Sequence, residues 1–300
     1  MFLTKNMIVW LSVILFCITP ANAKEQIRIV AVTGDFAAIA KDIGGERVKV
    51  SALVSGSYNL HYVHPKPSMV QQVRYADIVI RLGMGQDTWV DSLMDVAGNS
   101  RILKGAPGYI DASRDIIALE VPSGNVDRRH GDIHIYGNPH YWLDPHNGKI
   151  IAKHILQQLR TLDPMHANMY EKNYAEFCRK LDTKIAEWRV LLAPLLHTRF
   201  ITYHTVWSYF FNAFNLTSIG HLEPFPGISP SVPHLYRLTQ TVKKQSNSVR
   251  VIGATYYPVS VGQSFANTIQ STYTPLPTNV GNSIHTYSDL FDTIINELTQ

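Results

Sequence analysis

Three histidines stand where the chain is stiff and where ligands gather. His61 lies in Asn59-Leu60-His61-Tyr62-Val63-His64-Pro65-Lys66-Pro67-Ser68, His140 in Gly137-Asn138-Pro139-His140-Tyr141-Trp142-Leu143-Asp144-Pro145, and His204 closes the apolar run Phe200-Ile201-Thr202-Tyr203-His204. A histidine taken singly is more often a surface or packing residue than a ligand, so placement must separate these from the rest of the thirteen. His204 ends what reads as a parallel strand, and the carboxyl end of such a strand opens onto the crevice where α/β sheets bind ligands. Asp144 is a good N-cap with Pro145 at the first helical position, so the segment carrying His140 is a rigid loop held at a helix entrance. After His61, two prolines stiffen the approach to a helix whose N-cap reads as Ser68. Three imidazoles converging on one point would suit zinc, a borderline cation that takes neutral nitrogen readily.

The elements that must bring them together follow from patterning. At 300 residues, 45% apolar and 17% charged, the chain is long enough for one large domain or two ordinary ones, and disorder or a collagen-like repeat is excluded. The net charge is only +4 and no stretch gathers Lys and Arg into a basic patch, so nucleic acid is not an expected partner. Short β-rich runs over 27–32, 48–54 and 76–82 alternate with helical patterns near 36–43, 68–75 and 88–96. The pattern restarts with strands at 199–203, 217–222 and 249–254 and helices near 206–214, 231–245, 262–272 and from 288 onward. This predicts two similar α/β lobes with mainly parallel sheets. Between them, from Pro164 to about Leu192, no Pro or Gly interrupts a helix. Tyr170, Tyr174, Phe177, Leu181, Ile185, Trp188 and Leu192 share one face of it, over a length of roughly 40 Å.

The first residues are set apart from the fold. Lys5, the apolar stretch Met7 to Ile18 and Ala21-Asn22-Ala23 read as a signal peptide over 1–23 cleaved after Ala23. Phe16 stands where a lipoprotein signal would place a small residue before Cys17, so a soluble exported protein is expected. The mature chain would keep only Cys178 and form no internal disulfide. No later apolar stretch of about 18 residues appears, so no membrane span is expected in the mature protein. The organisation expected is an N-terminal lobe over 24–163, a connecting helix over 164–193 and a C-terminal lobe over 194–300.

These segments resemble the zinc/manganese-binding receptors of metal ABC transporters, a family of periplasmic solute-binding proteins. His61 to Ser68 resembles the family's His-x-x-x-Pro-x-Pro-Ser segment. Asn138 to Pro145 resembles its second ligand loop, and Thr202-Tyr203-His204 followed by Tyr209-Phe210 its third. Asp163-Pro164 with Tyr170 and Asn173 is similar to the start of the connecting helix. The resemblance runs from about Ile27 to the C-terminus. It implies two lobes joined by one long helix, a metal site in the cleft between them, and His61, His140 and His204 as ligands. It also implies an inner-membrane ABC permease as partner, no enzymatic activity, and a monomer is expected.

The chain departs from the family where a carboxylate usually completes the site. One place reads Ala254-Thr255-Tyr256-Tyr257 and the other Thr278-Asn279, so water, His64, His134 or Glu223 remains open for the fourth position, with Glu223 read foremost as structural. The loop over 123–136 holds His130 and His134 where zinc-specific relatives carry a His-rich insert, and its default reading is a solvated loop. His146, His154, His166, His197, His221, His234 and His285 are taken as surface or packing residues, and the aromatic residues after His204 as core. An open three-histidine site is also how a catalytic zinc is built, so a zinc hydrolase or hydratase is the competing reading. No H-E-x-x-H helix or nearby general base accompanies it. Nitrogen ligation favours zinc over manganese, while affinity order would also admit copper or nickel. Affinity is expected to fall as pH drops through the ordinary imidazole range, and the lobes to move by a small tilt.

Overall fold

The computed structural model describes residues 26–56, 58–123 and 134–300. The segment read as a signal peptide and His130 therefore lie outside the described residues. In the first lobe, β1 (Ile27–Thr33), β2 (Val48–Val54), β3 (Ile78–Arg81) and β4 (Tyr109–Asp111) form a parallel sheet in the order β2-β1-β3-β4. Helices α1 (Gly34–Gly44), α2 (Pro67–Arg74) and α3 (Trp89–Ala97) make the crossovers. The second lobe repeats the plan with β5 (Arg199–Thr202), β6 (Thr217–His221), β7 (Val249–Ala254) and β8 (Tyr273–Leu276) in the order β6-β5-β7-β8, again parallel. Its helices are α6 (Ser208–Phe214), α7 (Val232–Lys243), α8 (Val259–Thr268) and α9 (Tyr287–Thr299). Between the lobes run α4 (Pro145–Leu162) and the 26-residue α5 (Ala167–Leu192).

The two-lobe α/β architecture expected from alternation is thus the one observed. Differences lie at boundaries. Pro67, not Ser68, opens α2: the ring presets a helical φ, so the N-cap moves back to Lys66 and Ser68 falls inside the helix. The long helix begins three residues late, because Pro164–His166 forms a 3-10 turn first. Helix α8 starts at Val259 and ends at Thr268 rather than spanning 262–272, since Gln270 turns left-handed at φ 56. Strands β4 and β8, three and four residues long, escaped the pattern. Among the described residues no helix is long and apolar enough to cross a membrane.

The stripe on α5 is buried at Tyr170, Phe177, Leu181, Ile185, Trp188 and Leu192. One apolar core runs continuously from the first sheet through α4 and α5 to α6 and α9. A smaller cluster with Ile201, Tyr203, Leu238 and Tyr273 lies within the second lobe. Helix α9 seals against the connector: Trp188 stacks on Phe291 with ring centroids 5.0 Å apart and donates Nε1–H to Asp292 at 2.7 Å.

A second seam joins the lobes backbone to backbone. Gly56 N–H donates to the Val280 carbonyl at 2.9 Å, and the Asp35 carboxylate accepts from Val280 N–H at 2.9 Å and Asn279 Nδ2 at 3.0 Å. The approach is so close that a Cβ on Gly34 would lie 2.2 Å from the Val280 oxygen, and one on Gly281 2.1 Å from Gly56 N. A shared core and a glycine-lined seam both resist a wide hinge opening.

Candidate metal centre

Each of the three histidines follows a strand of a parallel sheet: His61 after β2, His140 after β4 and His204 after β5. The sheets' carboxyl ends face a common point there. One ring nitrogen from each of His61, His140 and His204 lies within 4.8 Å of the others. Ring centroids are 5.5 Å apart for His61 and His140, 5.4 Å for His61 and His204, and 5.5 Å for His140 and His204. Nitrogens sharing a tetrahedral zinc at about 2.1 Å would sit about 3.4 Å apart, so small side-chain rotations bridge the difference. His140 and His204 are buried, and His61 is partly so.

Hydrogen bonds fix which nitrogen His140 and His204 turn inward. Asn138 donates through Nδ2 to the Glu120 carboxylate at 2.9 Å and to the Thr205 carbonyl at 2.7 Å. Both partners are pure acceptors, so the amide cannot be flipped, and its Oδ1 faces His140. That oxygen accepts from the His140 backbone N–H at 3.0 Å and stands 2.9 Å from Nδ1, which must therefore carry the proton. His140 Nε2 is left with its lone pair. On the opposite lobe, Glu223 stands 2.7 Å from His204 Nδ1 and also accepts from Gly227 N–H at 3.1 Å. A carboxylate only accepts when ionised, so His204 likewise keeps its proton on Nδ1. His204 Nε2 and His61 Nε2 are buried with no hydrogen-bond partner, an arrangement that costs free energy while they stay unpartnered, and a cation would meet the lone pair of His204.

Burial also keeps His61 and His140 neutral. The loss of solvation, followed by the nearness of His204 and His134, holds His61 at about 3. Burial and then His61, His204 and His134 hold His140 well below the ordinary imidazole value. Neutral imidazole is the form a cation needs. Trp142 flanks His140 at 5.4 Å and Tyr257 flanks His204 at 6.2 Å between centroids, giving the cluster an apolar wall. A cavity of about 570 Å³, roomy enough for an organic molecule, lies instead beside Ile27, Tyr75 and Arg101, and none of the three histidines lines it.

The other residues weighed for a fourth ligand fall differently. His64 is exposed. His134 stands beside His61, ring centroids 5.1 Å apart, outside the trio. Glu223 is engaged with the outer nitrogen of His204 and orients a ring, as a carboxylate behind a ligating histidine does. Asn279 gives its amide to Asp35. His146, His154 and His166 pair with Asp144, Asp115 and Asp163, while His221 and His234 bond Thr202 and the His221 carbonyl. Trp207, Tyr209, Phe210, Phe211 and Phe214 are buried, as core residues should be. The roles of Asn138 and Glu120 were missed. Asn138 sits in the quoted motif, but nothing local marks its amide as a clamp. Glu223→Ala is expected to weaken binding of a divalent metal by about 10–100-fold, read by competition with a chelator, because the ring it holds loses orientation and basicity.

Two parallel α/β lobes joined by a single long connecting helix are the architecture of the metal-transporter solute-binding class. The chain belongs to the ZnuA family, zinc-uptake complex component A, periplasmic, whose sequence profile matches residues 29–300. It is 25% identical over 261 residues to the zinc-binding lipoprotein AdcA of Streptococcus pneumoniae, covering 85% of this chain and 50% of that protein. It is also 25% identical over 223 residues to the high-affinity zinc uptake system protein ZnuA of Brucella abortus, covering 65% and 67%. The chain thus spans about half the length of the streptococcal lipoprotein. Among solved structures, a zinc-bound ZnuA deletion mutant superposes with a TM-score of 0.77 at 25% identity over 92% of this chain and 97% of that one. A manganese-bound periplasmic metal-binding protein from Candidatus Liberibacter asiaticus shares the fold, with a TM-score of 0.74 at 17% identity over 91% and 98%.

Proposed function

We propose that this protein captures a divalent metal, zinc foremost, outside the cytoplasm and hands it to an inner-membrane ABC permease. His61, His140 and His204 are the ligands, each through its inward nitrogen, and the ion is cargo that undergoes no chemistry. The observation that carries this reading is the set of three imidazole nitrogens from distant segments within 4.8 Å of one another, two of them buried and unpartnered at Nε2. An all-nitrogen set favours zinc over manganese, which prefers oxygen donors, and by affinity order copper or nickel would also be held. Water is the simplest fourth ligand, since Glu223 is turned to the far side of His204. Relatives named for zinc binding and zinc uptake support the choice of metal.

The further parts of this reading are a signal peptide over 1–23 cleaved after Ala23, a monomeric mature protein, and division into 24–163, 164–193 and 194–300. Metal analysis of the purified chain tests the main claim: one zinc per chain, removable by chelator, with His61, His140 and His204 contacting the ion in the loaded crystal, is the expected result. Turnover of an ester or of CO2 by the zinc-loaded protein would instead favour a hydrolase or hydratase, and binding undiminished in all three histidine variants would refute the site.

A further inference from the structure

Residue Glu120 is exposed, yet it is held in a way that loops seldom impose. Its backbone is left-handed, at φ 55, a conformation that residues with a Cβ rarely adopt. Its two carboxylate oxygens face different lobes. Oε2 accepts from Asn138 Nδ2 at 2.9 Å, in the segment that carries His140, and Oε1 accepts from Ser208 Oγ at 2.5 Å, at the start of α6 in the second lobe. Around this pair the chain is laced tightly. Asn138 N–H donates to the Leu119 carbonyl at 2.8 Å, and Tyr209 OH, which accepts from Leu119 N–H at 3.0 Å, donates to the Asn138 carbonyl at 3.0 Å. The same Asn138 amide reaches the carbonyl of Thr205, the residue after His204.

We propose that Glu120 is a positioning residue for metal capture. Acting through the Asn138 amide, it fixes the tautomer and rotation of His140 and ties that ring to the second-lobe turn that carries His204. The inference rests on the metal-receptor reading above. Its logic is that of hydrogen-bond parity. With Glu120 in place, both Nδ2 protons of Asn138 have acceptors, so Oδ1 has one orientation and His140 Nδ1–H one partner. Without it, the amide keeps the Thr205 carbonyl and the His140 backbone N–H but loses the acceptor for its second Nδ2 proton, so its hold on Oδ1 loosens and His140 spends more time with its proton on Nε2, the nitrogen that must be bare for the ion.

The test measures zinc affinity by chelator competition in Glu120→Ala, Glu120→Gln, Asn138→Ala and the Glu120→Ala/Asn138→Ala double variant. Melting of each metal-free protein is followed alongside, as are the nitrogen-15 resonances of its histidines. Glu120→Ala is expected to bind zinc about tenfold more weakly, the low end of the range for outer partners because the carboxylate is exposed. Glu120→Gln, which still offers an acceptor oxygen, should recover most of that loss. The double variant should be no weaker than Asn138→Ala alone, the mark of two residues acting in series. The His140 resonances should move from a pure Nδ1–H form to a tautomer mixture in Glu120→Ala. Affinity within twofold of the parent protein, additive losses in the double variant, or a loss that tracks a lowered melting temperature without any change of tautomer would each overturn the proposal. Failure of the parent protein to take up zinc would instead overturn the reading on which it rests.

Discussion

Zinc capture should collapse when His204 is replaced by alanine, with affinity falling by more than about a hundredfold, beyond the upper end of what loss of an outer hydrogen-bond partner costs. The ring supplies one of three inward nitrogens, and the remaining two cannot close a tetrahedron without water taking its place. The fold should survive, because the ring contributes little to either apolar core. What it leaves behind is Glu223, buried and still bonded to Gly227 N–H, so a loss of about 1–3 kcal/mol is expected in denaturant unfolding. His61→Ala is the cleaner companion: its Nε2 has no protein partner to orphan, so capture should be lost with stability nearly unchanged. Tight stoichiometric uptake persisting in either variant would contradict the assignment.

Acid should act on the stability of the metal-free protein more than on its affinity. His61 sits at about 3 when folded and near 6.5 when unfolded. Between those values the unfolded chain binds the proton and the folded one does not, so stability rises with pH across that window and is level above it. At about 1.4 kcal/mol per unit, acidification from pH 6.5 to 5 removes roughly 2 kcal/mol through this ring. His140, also held low by burial, adds a loss of the same sign. Asp35 opposes them: burial raises its carboxyl to about 6, so it favours the folded state in acid and that contribution disappears as pH rises from about 4 to 6. The imidazoles held low by burial, His154 and His221 among them, outnumber the carboxyls held high, Asp35 and Asp42, and melting temperature should fall on acidification. Because His61 and His140 are already deprotonated when the ion arrives, protons compete at those two rings only well below pH 6.5. The broad loss expected from ordinary imidazoles gives way to a dependence to which His61 and His140 contribute almost nothing between pH 8 and 5. A two- or three-proton slope near pH 6.5 in a chelator titration would mean that the rings are solvated.

The three ligating candidates were legible because each is marked locally, by a strand ending at Thr202 or by prolines at 65, 67, 139 and 145. Both lobes were legible because short runs rich in Val and Ile such as β1 and β7, six or seven residues long, read as strands. Strand β8 was not, since Pro275 interrupts four residues that hold their place only through pairing with β7. Nor was the wiring behind the site. Asn138 and Thr205 are 67 positions apart, and Asn279 and Asp35 are 244 apart, so the sequence offers no periodicity from which either contact could be inferred. Glu223 was ambiguous for a related reason: a carboxylate in a Pro-rich loop looks the same whether it meets an ion or the back of a ring.

Helix α9 has a consequence for how the molecule is made. Phe291 and Tyr287 fill space against Trp188 and Phe177 on the connector, so the interior shared by both lobes stays open until residues 287–299 arrive. A nascent polypeptide lacking them would expose a wide greasy furrow along α5. Joining of the two lobes therefore waits on α9, and a chain cut within this helix is expected to leave them apart rather than to yield a half-working receptor.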